Sequence, residues 1–422
     1  MAGPKRGRNK KKTEAQSSDP SLETLAPRSP SPGRSEDRES EERTPKPGVE
    51  KAQERSDTPY PEYSRVFLTR EEYKKRVEGI NRLLRSGSRG WELELKKIVE
   101  RYKDMYTTIQ GWVLNWGIGD VGMISKEDMN LIIGALDGYC VQEDWPTLKE
   151  LLPTRPALDL ALAEALISKA IATKILSNSF QYLDAKSGST DQNEDESFAT
   201  NLQYLYDRFF KVNPNFATLW KQQTHRLANS TTAFQAPGDL EFGQENIKRL
   251  KACACPLAEE LLASTPFRLL LKEPLSSKAV LSRQRGLVEI FEQALCLMRD
   301  YETRVGGQFR MEQLPQLGPS YQCDSPYTTI WDATNSAADE TEIEGCRILL
   351  VVRPTIVYTH IEPNDAGSDY TSVSFILQQA MVIAEGRDGV TRSPKKQKAT
   401  TRRAGAFVED GVYVTVAEYQ ED

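Results

Sequence analysis

The sequence predicts a mainly α protein, an irregular helical bundle with a disordered N-terminal head and a small C-terminal β-containing lobe. Three observations predict it. Apolar residues recur in steps of three and four through most of residues 65–312, which is the helical repeat. Residues 1–60 are Ser, Pro, Glu, Arg and Lys with almost no large apolar side chain. Short β-branched runs bounded by Gly, Pro and Asp appear only after about Phe309. At 422 residues, 38% hydrophobic and 27% charged, the chain has the length for two or three domains of roughly 100–200 residues, but apolar material for a core along only part of it. The expected division is a head at 1–64, a helical domain at 65–312, a linker at 313–345 and a mixed α/β or β lobe at 346–422 that carries a basic loop at 386–404.

In the head, nothing offsets a backbone ordering cost of ~1–2 kcal/mol per residue, so disorder is expected. It holds four Ser/Thr-Pro pairs, at Ser29, Ser31, Thr44 and Thr58, and a fifth lies at Ser393 beside the second basic cluster. Proline-directed kinases accept this local form, and the added phosphate would offset neighbouring Lys charge. Order begins near Val66, where Thr69 to Glu72 makes a capping box ahead of Tyr73, Val77, Ile80 and Leu83. Trp91, Leu95, Ile98, Tyr102, Met105, Ile109, Trp112 and Trp116 then form one seam, about 39 Å long as a helix. Burying each such group is worth ~1.5–3 kcal/mol, and the three tryptophans suit an irregular core packed on the chain's own helices better than a zipper between copies. Ser125 caps a second helix bearing Met129, Ile132, Leu136 and Tyr139. Pro156 opens a third, running to about Phe180, whose leucines and isoleucines cover more than one face and mark it as the central, nearly enclosed helix. After the polar loop from Lys186 to Ser197, amphipathic helices are expected at Phe198–Val212, Pro214–Leu227, Phe242–Ala263 and Leu287–Val305. Strands are expected at Ile348–Val352, Thr355–Ile361, Val373–Leu377, Ala406–Glu409 and Val412–Val416, with Pro354 arguing against one long strand through 348–361.

The formal charge of −6 hides a division. Residues 1–12 and 392–403 each carry six Lys/Arg and no acid; of 55 basic residues against 61 acidic ones, the remainder of the chain is left at −18. Such a body repels a phosphate backbone, so nucleic-acid contact is expected only weakly and through the tails. Lys5, Arg6, Arg8, Lys10, Lys11 and Lys12, with Lys395, Lys396 and Lys398, suit the acidic groove of a nuclear-import receptor. No stretch approaches the ~20 apolar residues of a membrane span, and none follows the basic N-terminus, so neither membrane contact nor secretion is expected. The six cysteines should then be thiols in a reducing compartment.

The chemistry-bearing motifs are few. Gly117, Gly119 and Gly122 fit the G-x-G-x-x-G fingerprint, and Asp144 follows at a suitable distance, yet the glycines follow a helical seam where the fingerprint needs a buried strand. A turn between antiparallel helices is expected there. Cys253 and Cys255 form a close pair without a second pair or a neighbouring His to complete a zinc site. His225 and His360, the only histidines, lie in no nucleophile context; His225 is expected on a helix surface or partly buried, and His360 to close a strand. The Asp191–Glu196 cluster sits in a Ser/Gly-flanked loop. No catalytic residue, cofactor or metal is expected.

The run Glu164–Ile171 (EALISKAI), followed by Ile175, Asn178 and Phe180–Asp184, resembles a pattern in uncharacterised, lineage-restricted helical proteins of filamentous fungi. The resemblance implies a disordered head and a mostly helical body, and it carries over no activity and no functional residue. The function expected is that of a non-catalytic intracellular protein, nuclear or otherwise cytoplasmic, that binds protein partners or regulates them. An enzyme on an unfamiliar helical fold, or nucleic-acid contact through the basic tails, stands as the alternative.

Overall fold

The computed structural model describes residues 69–86, 90–91, 95–153, 157–183, 197–233, 235, 238, 240–331, 343–363, 370–386, 406–409 and 412–417. The head at 1–64 and nearly all of the basic loop at 386–404 lie outside the described residues. What is described is mainly helical, with sheet confined to the C-terminal part.

Helix α1 (Arg70–Ser86) starts on the capping box. The Thr69 N–H and hydroxyl both donate to Glu72 Oε2 at 2.9 Å, and the Glu72 N–H returns a bond to Thr69 Oγ1. Those bonds hold the Glu72 carboxyl below its ordinary pKa. Helix α2 (Leu95–Trp116) carries the seam inward, with Ile98, Tyr102, Met105, Ile109 and Trp112 all buried. Trp91, four residues ahead of the helix, is buried as well. Helix α3 (Lys126–Ala135) is capped by Ser125, whose Oγ accepts from the Asp128 N–H, and α4 (Trp145–Leu151) by Asp144. Helix α5 (Leu158–Ala170) is the enclosed one: Asp159 and every residue from 161 to 168 are buried. Its regular winding stops ten residues short of Phe180. Residues 171–176 form a π turn, in which the Ser177 N–H reaches back five residues to the Ala172 carbonyl.

Helices α6 (Ser197–Val212) and α7 (Pro214–Ala228) form a hairpin in which Asn213 caps α7 by accepting from the Phe216 N–H at 3.0 Å. The single helix expected over 242–263 is two, α8 (Glu241–Ala252) and α9 (Ala254–Ala263). Pro256 explains the break, because it has no N–H to donate to Ala252 and its ring crowds that carbonyl. After the short α10 (Thr265–Arg268), α11 (Ser277–Asp300) begins ten residues before Leu287, on a Ser276 cap, and runs into a second π turn at Tyr301–Val305. Gly286 lets α11 approach α2: a Cβ there would lie 2.8 Å from Trp112 Cδ1, and the Trp112 Nε1–H donates to the Arg283 carbonyl at 3.0 Å.

The strands are β1 (Gln308–Glu312), β2 (Thr328–Ile330), β3 (Ile348–Arg353), β4 (Thr355–Pro363), β5 (Tyr370–Gln378), β6 (Ala380–Ala384), β7 (Ala406–Glu409) and β8 (Val412–Ala417), with α12 (Leu314–Leu317) between the first two. One sheet has the order β1-β4-β5-β8-β7, antiparallel throughout; the other is β2-β6-β3, with β2 and β6 parallel. Pro354 separates β3 from β4, and the two go to different sheets. Every residue of β3 is buried, its flank packs on α5, and the backbone bonds Val351 N–H to Tyr139 O (2.7 Å) and Val141 N–H to Leu349 O (3.0 Å) tie it to the segment after α3. Helices and strands therefore share one apolar core.

Candidate functional site

Buried polar side chains gather where α11 winds into its π turn. Asp300, 1% exposed, receives three guanidiniums: Arg101 from α2 on Oδ2, Arg299 Nη2 at 3.0 Å and Arg304 Nε at 3.4 Å on Oδ1. The arginine side chains remain 49%, 21% and 22% exposed, so they fan from a buried carboxylate toward solvent. The Arg304 guanidinium lies 6.0 Å over the Trp91 ring.

On the other side of the turn, Glu302 Oε1 takes the Lys221 Nζ at 2.9 Å, both groups buried, and Lys221 lies 4.6 Å over the Tyr206 ring. Burial opposes the Lys221 charge, but Glu302, Tyr206 and Asp207 together outweigh it and lift the ammonium above its ordinary range. Arg226 Nε donates to the Thr303 carbonyl at 2.6 Å.

His225, one turn further along α7, is fully buried instead of lying at the helix surface, and stacks 4.9 Å from Phe180. The π turn after α5 brings Phe180 and Tyr182 here. The Asn229 amide donates to the Tyr182 hydroxyl at 2.6 Å, so that hydroxyl turns its own proton to His225 Nδ1 at 2.9 Å. The neutral ring then carries its hydrogen on Nε2, which has no partner among the described residues. Burial pulls the imidazole down to about 4.

A second charged pair pins helix to sheet: Arg353 of β3 bonds Glu164 of α5 through Nε, and the Trp331 Nε1–H donates to the other Glu164 oxygen at 3.2 Å. Arg353 lies 4.6 Å over the Tyr106 ring. Burial raises the Glu164 carboxyl, against the pull of Arg353. Elsewhere a cleft of 240 Å³ runs between α5 with its π turn and α9 to α11, floored by Leu166, Ala170, Leu257, Leu261 and Phe291; neither His225 nor Cys253 lines it.

Helix α6 is apolar on two sides. Phe198, Leu202, Tyr206 and Phe210 pack on the core, while Tyr204, Leu205, Phe209 and Val212 are exposed and Phe216 continues the patch onto α7. Phe209 meets Trp220 edge-on at 5.4 Å.

Gly117 ends α2, and the amides of the glycine run are already taken: Gly119 N–H by Asp159 at 2.8 Å, Gly122 N–H by Asp120 at 2.7 Å. Asp144 is a helix cap. Cys253 is half-buried between α8 and α9 and Cys255 is exposed. Burial for the first, and a hydrogen bond to Glu259 for the second, raise both thiols, which keeps them protonated. His360 lies within β4, three residues before its end. Among the described residues no three His, Cys, Asp or Glu side chains gather as metal ligands would. The import candidates Lys5, Arg6, Arg8, Lys10, Lys11, Lys12, Lys395, Lys396 and Lys398 lie outside the described residues. So do the phosphorylation candidates Ser29, Ser31, Thr44, Thr58 and Ser393, and the Asp191–Glu196 cluster.

Sequence reasoning missed the arginine fan and the Lys221–Glu302 pair, because charges on amphipathic helices read as solvated faces. One signal was available: Asp300 and Arg304 stand at i, i+4 inside a stretch whose apolar neighbours, Leu297, Met298 and Tyr301, leave little room for solvent. Compared with family models, curated proteins and solved structures, the chain matches none of them.

Proposed function

We infer that this protein works by binding another protein, with the outer face of α6 and the first turn of α7 as the docking surface, and that it does so in the nucleus. The observation that supports docking is that α6 exposes Tyr204, Leu205, Phe209 and Val212 away from the core, with Phe216 of α7 beside them. A contiguous exposed apolar patch marks an interaction site. Arg208 and Lys211 are exposed beside the patch against one exposed carboxylate, Asp207, so the net positive charge favours an amphipathic helix with acidic flanks as the partner. The two basic clusters support nuclear import through an import receptor. No helix among the described residues is long and apolar enough to cross a membrane.

The test is affinity purification of the full chain in parallel with a Leu205→Glu/Phe216→Glu variant of unchanged thermal stability. Support is a protein bearing an acidic amphipathic helix that is captured by the wild type alone and binds again when both components are pure. Identical captured sets would refute the docking surface. Replacing Lys10–Lys12 and Lys395, Lys396 and Lys398 by Ala in a fluorescently tagged copy should move the signal from nucleus to cytoplasm; a cytoplasmic signal in both forms refutes the compartment.

A further inference from the structure

We propose that Arg101, Arg299 and Arg304 form a recognition site for a phosphoryl group, held open to solvent over the buried Asp300. The inference stands apart from the α6 surface and does not depend on it. A guanidinium stays charged at any physiological pH, and Asp300 brings a single negative charge. Even with Arg304 engaged elsewhere, Arg101 and Arg299 share one carboxylate. Burial pulls the Arg299 pKa down, Cys296 and Tyr182 act against that pull, and Arg304 and Arg101 add to it. Two guanidiniums held on one buried carboxylate are relieved by an incoming oxyanion. The site is also built and not merely clustered: its members come from α2, α11 and the π turn, Asp300 anchors them from beneath, and Trp91 supports Arg304 from the side. π turns recur at functional sites, and planar guanidinium forks match phosphate oxygens in a way that scattered lysines do not.

The ligand is therefore a phosphate monoester or free phosphate, with about −1.5 to −2 charge near neutrality. A phosphorylated Ser/Thr-Pro peptide is the monoester to try, and residues 53–63, with Thr58-Pro59 at the centre, supply one.

The test is calorimetric titration of the full chain, made without phosphorylation. The titrants are inorganic phosphate and the peptide of residues 53–63 with and without phosphate on Thr58, at constant ionic strength. At least one phosphorylated titrant should bind, the bare peptide should not, and Arg101→Gln should weaken binding by about tenfold or more. Phosphopeptide binding tenfold tighter than inorganic phosphate assigns the site to a phosphorylated segment; comparable affinities assign it to the free anion. Arg101 is the guanidinium on Asp300 Oδ2, so some loss of thermal stability is expected in Arg101→Gln and its binding is read well below its own unfolding midpoint; Lys103→Gln, an equal loss of charge at an exposed α2 position, should leave binding unchanged. Absence of binding by either phosphorylated titrant, an unchanged affinity in Arg101→Gln, or equal weakening by Lys103→Gln overturns the proposal.

Discussion

Acidifying the protein from about pH 8 to about pH 5 should cost it stability through His225 alone. The ring is fully buried against Phe180, with the Tyr182 hydroxyl on Nδ1. Burial brings its pKa from 6.5 to about 4; Glu302 nearby acts to raise it and Lys221 to lower it further. The unfolded chain binds a proton near 6.5 that the folded chain refuses until about 4. The stabilisation is therefore complete above 6.5, falls as pH drops through the window from 6.5 to about 4, and changes no further below it. Linkage with these values gives a loss of about 2 kcal/mol between pH 8 and pH 5, and ~3 kcal/mol at the limit. Urea unfolding, followed by tryptophan fluorescence at several pH values, measures it. Carboxylates and the other histidine titrate as well, so the quantity to read is the difference between wild type and His225→Gln, whose amide oxygen still accepts from Tyr182. The wild type should lose about 2 kcal/mol more than the variant over that range. Parallel curves for the two proteins would show that His225 protonates freely in the fold, and the account of its burial would be wrong.

Three more predictions follow from packing. Glu164→Leu should destabilise by ~3–5 kcal/mol, because Arg353 stays buried without its carboxylate, while Glu164→Leu/Arg353→Met together should cost clearly less in the same urea experiment. Gly286→Ala should destabilise by ~1–3 kcal/mol, since the new Cβ meets the Trp112 ring at 2.8 Å. Gly134→Ala, in α3 with open space around it, should instead raise stability by up to ~1 kcal/mol; both are read as shifts in thermal midpoint.

The periodic and capped parts of this fold were legible in the sequence. Thr69, Ser125 and the seam from Leu95 to Trp116 announce their helices because a cap and a buried stripe are local chemistry. The first half of α11 was hidden, since Ser277 to Gly286 is mostly polar and its start depends on Ser276 and on Trp112 across the interface. Strands β1, β2 and β6 were hidden for a related reason: a strand of three to five residues has too few alternations to stand out, and β2 exists only because β6 pairs with it. Of the candidate site, the sequence showed the residues but not their meeting. Arg101 and Asp300 are separated by most of the helical body, and nothing in either neighbourhood says that they touch.

The layering of β3 on α5 sets a timetable for synthesis. Glu164 leaves the ribosome 189 residues ahead of Arg353. At ~5–20 residues per second that is roughly ten to forty seconds in which the enclosed helix α5 has no lid and a carboxylate no cation. A nascent chain halted anywhere before residue 348 should therefore be sticky and chaperone-bound. Shortening the protein from its C-terminus removes the cover of its centre, so the late strands serve as the closing plate of a body whose walls were made first.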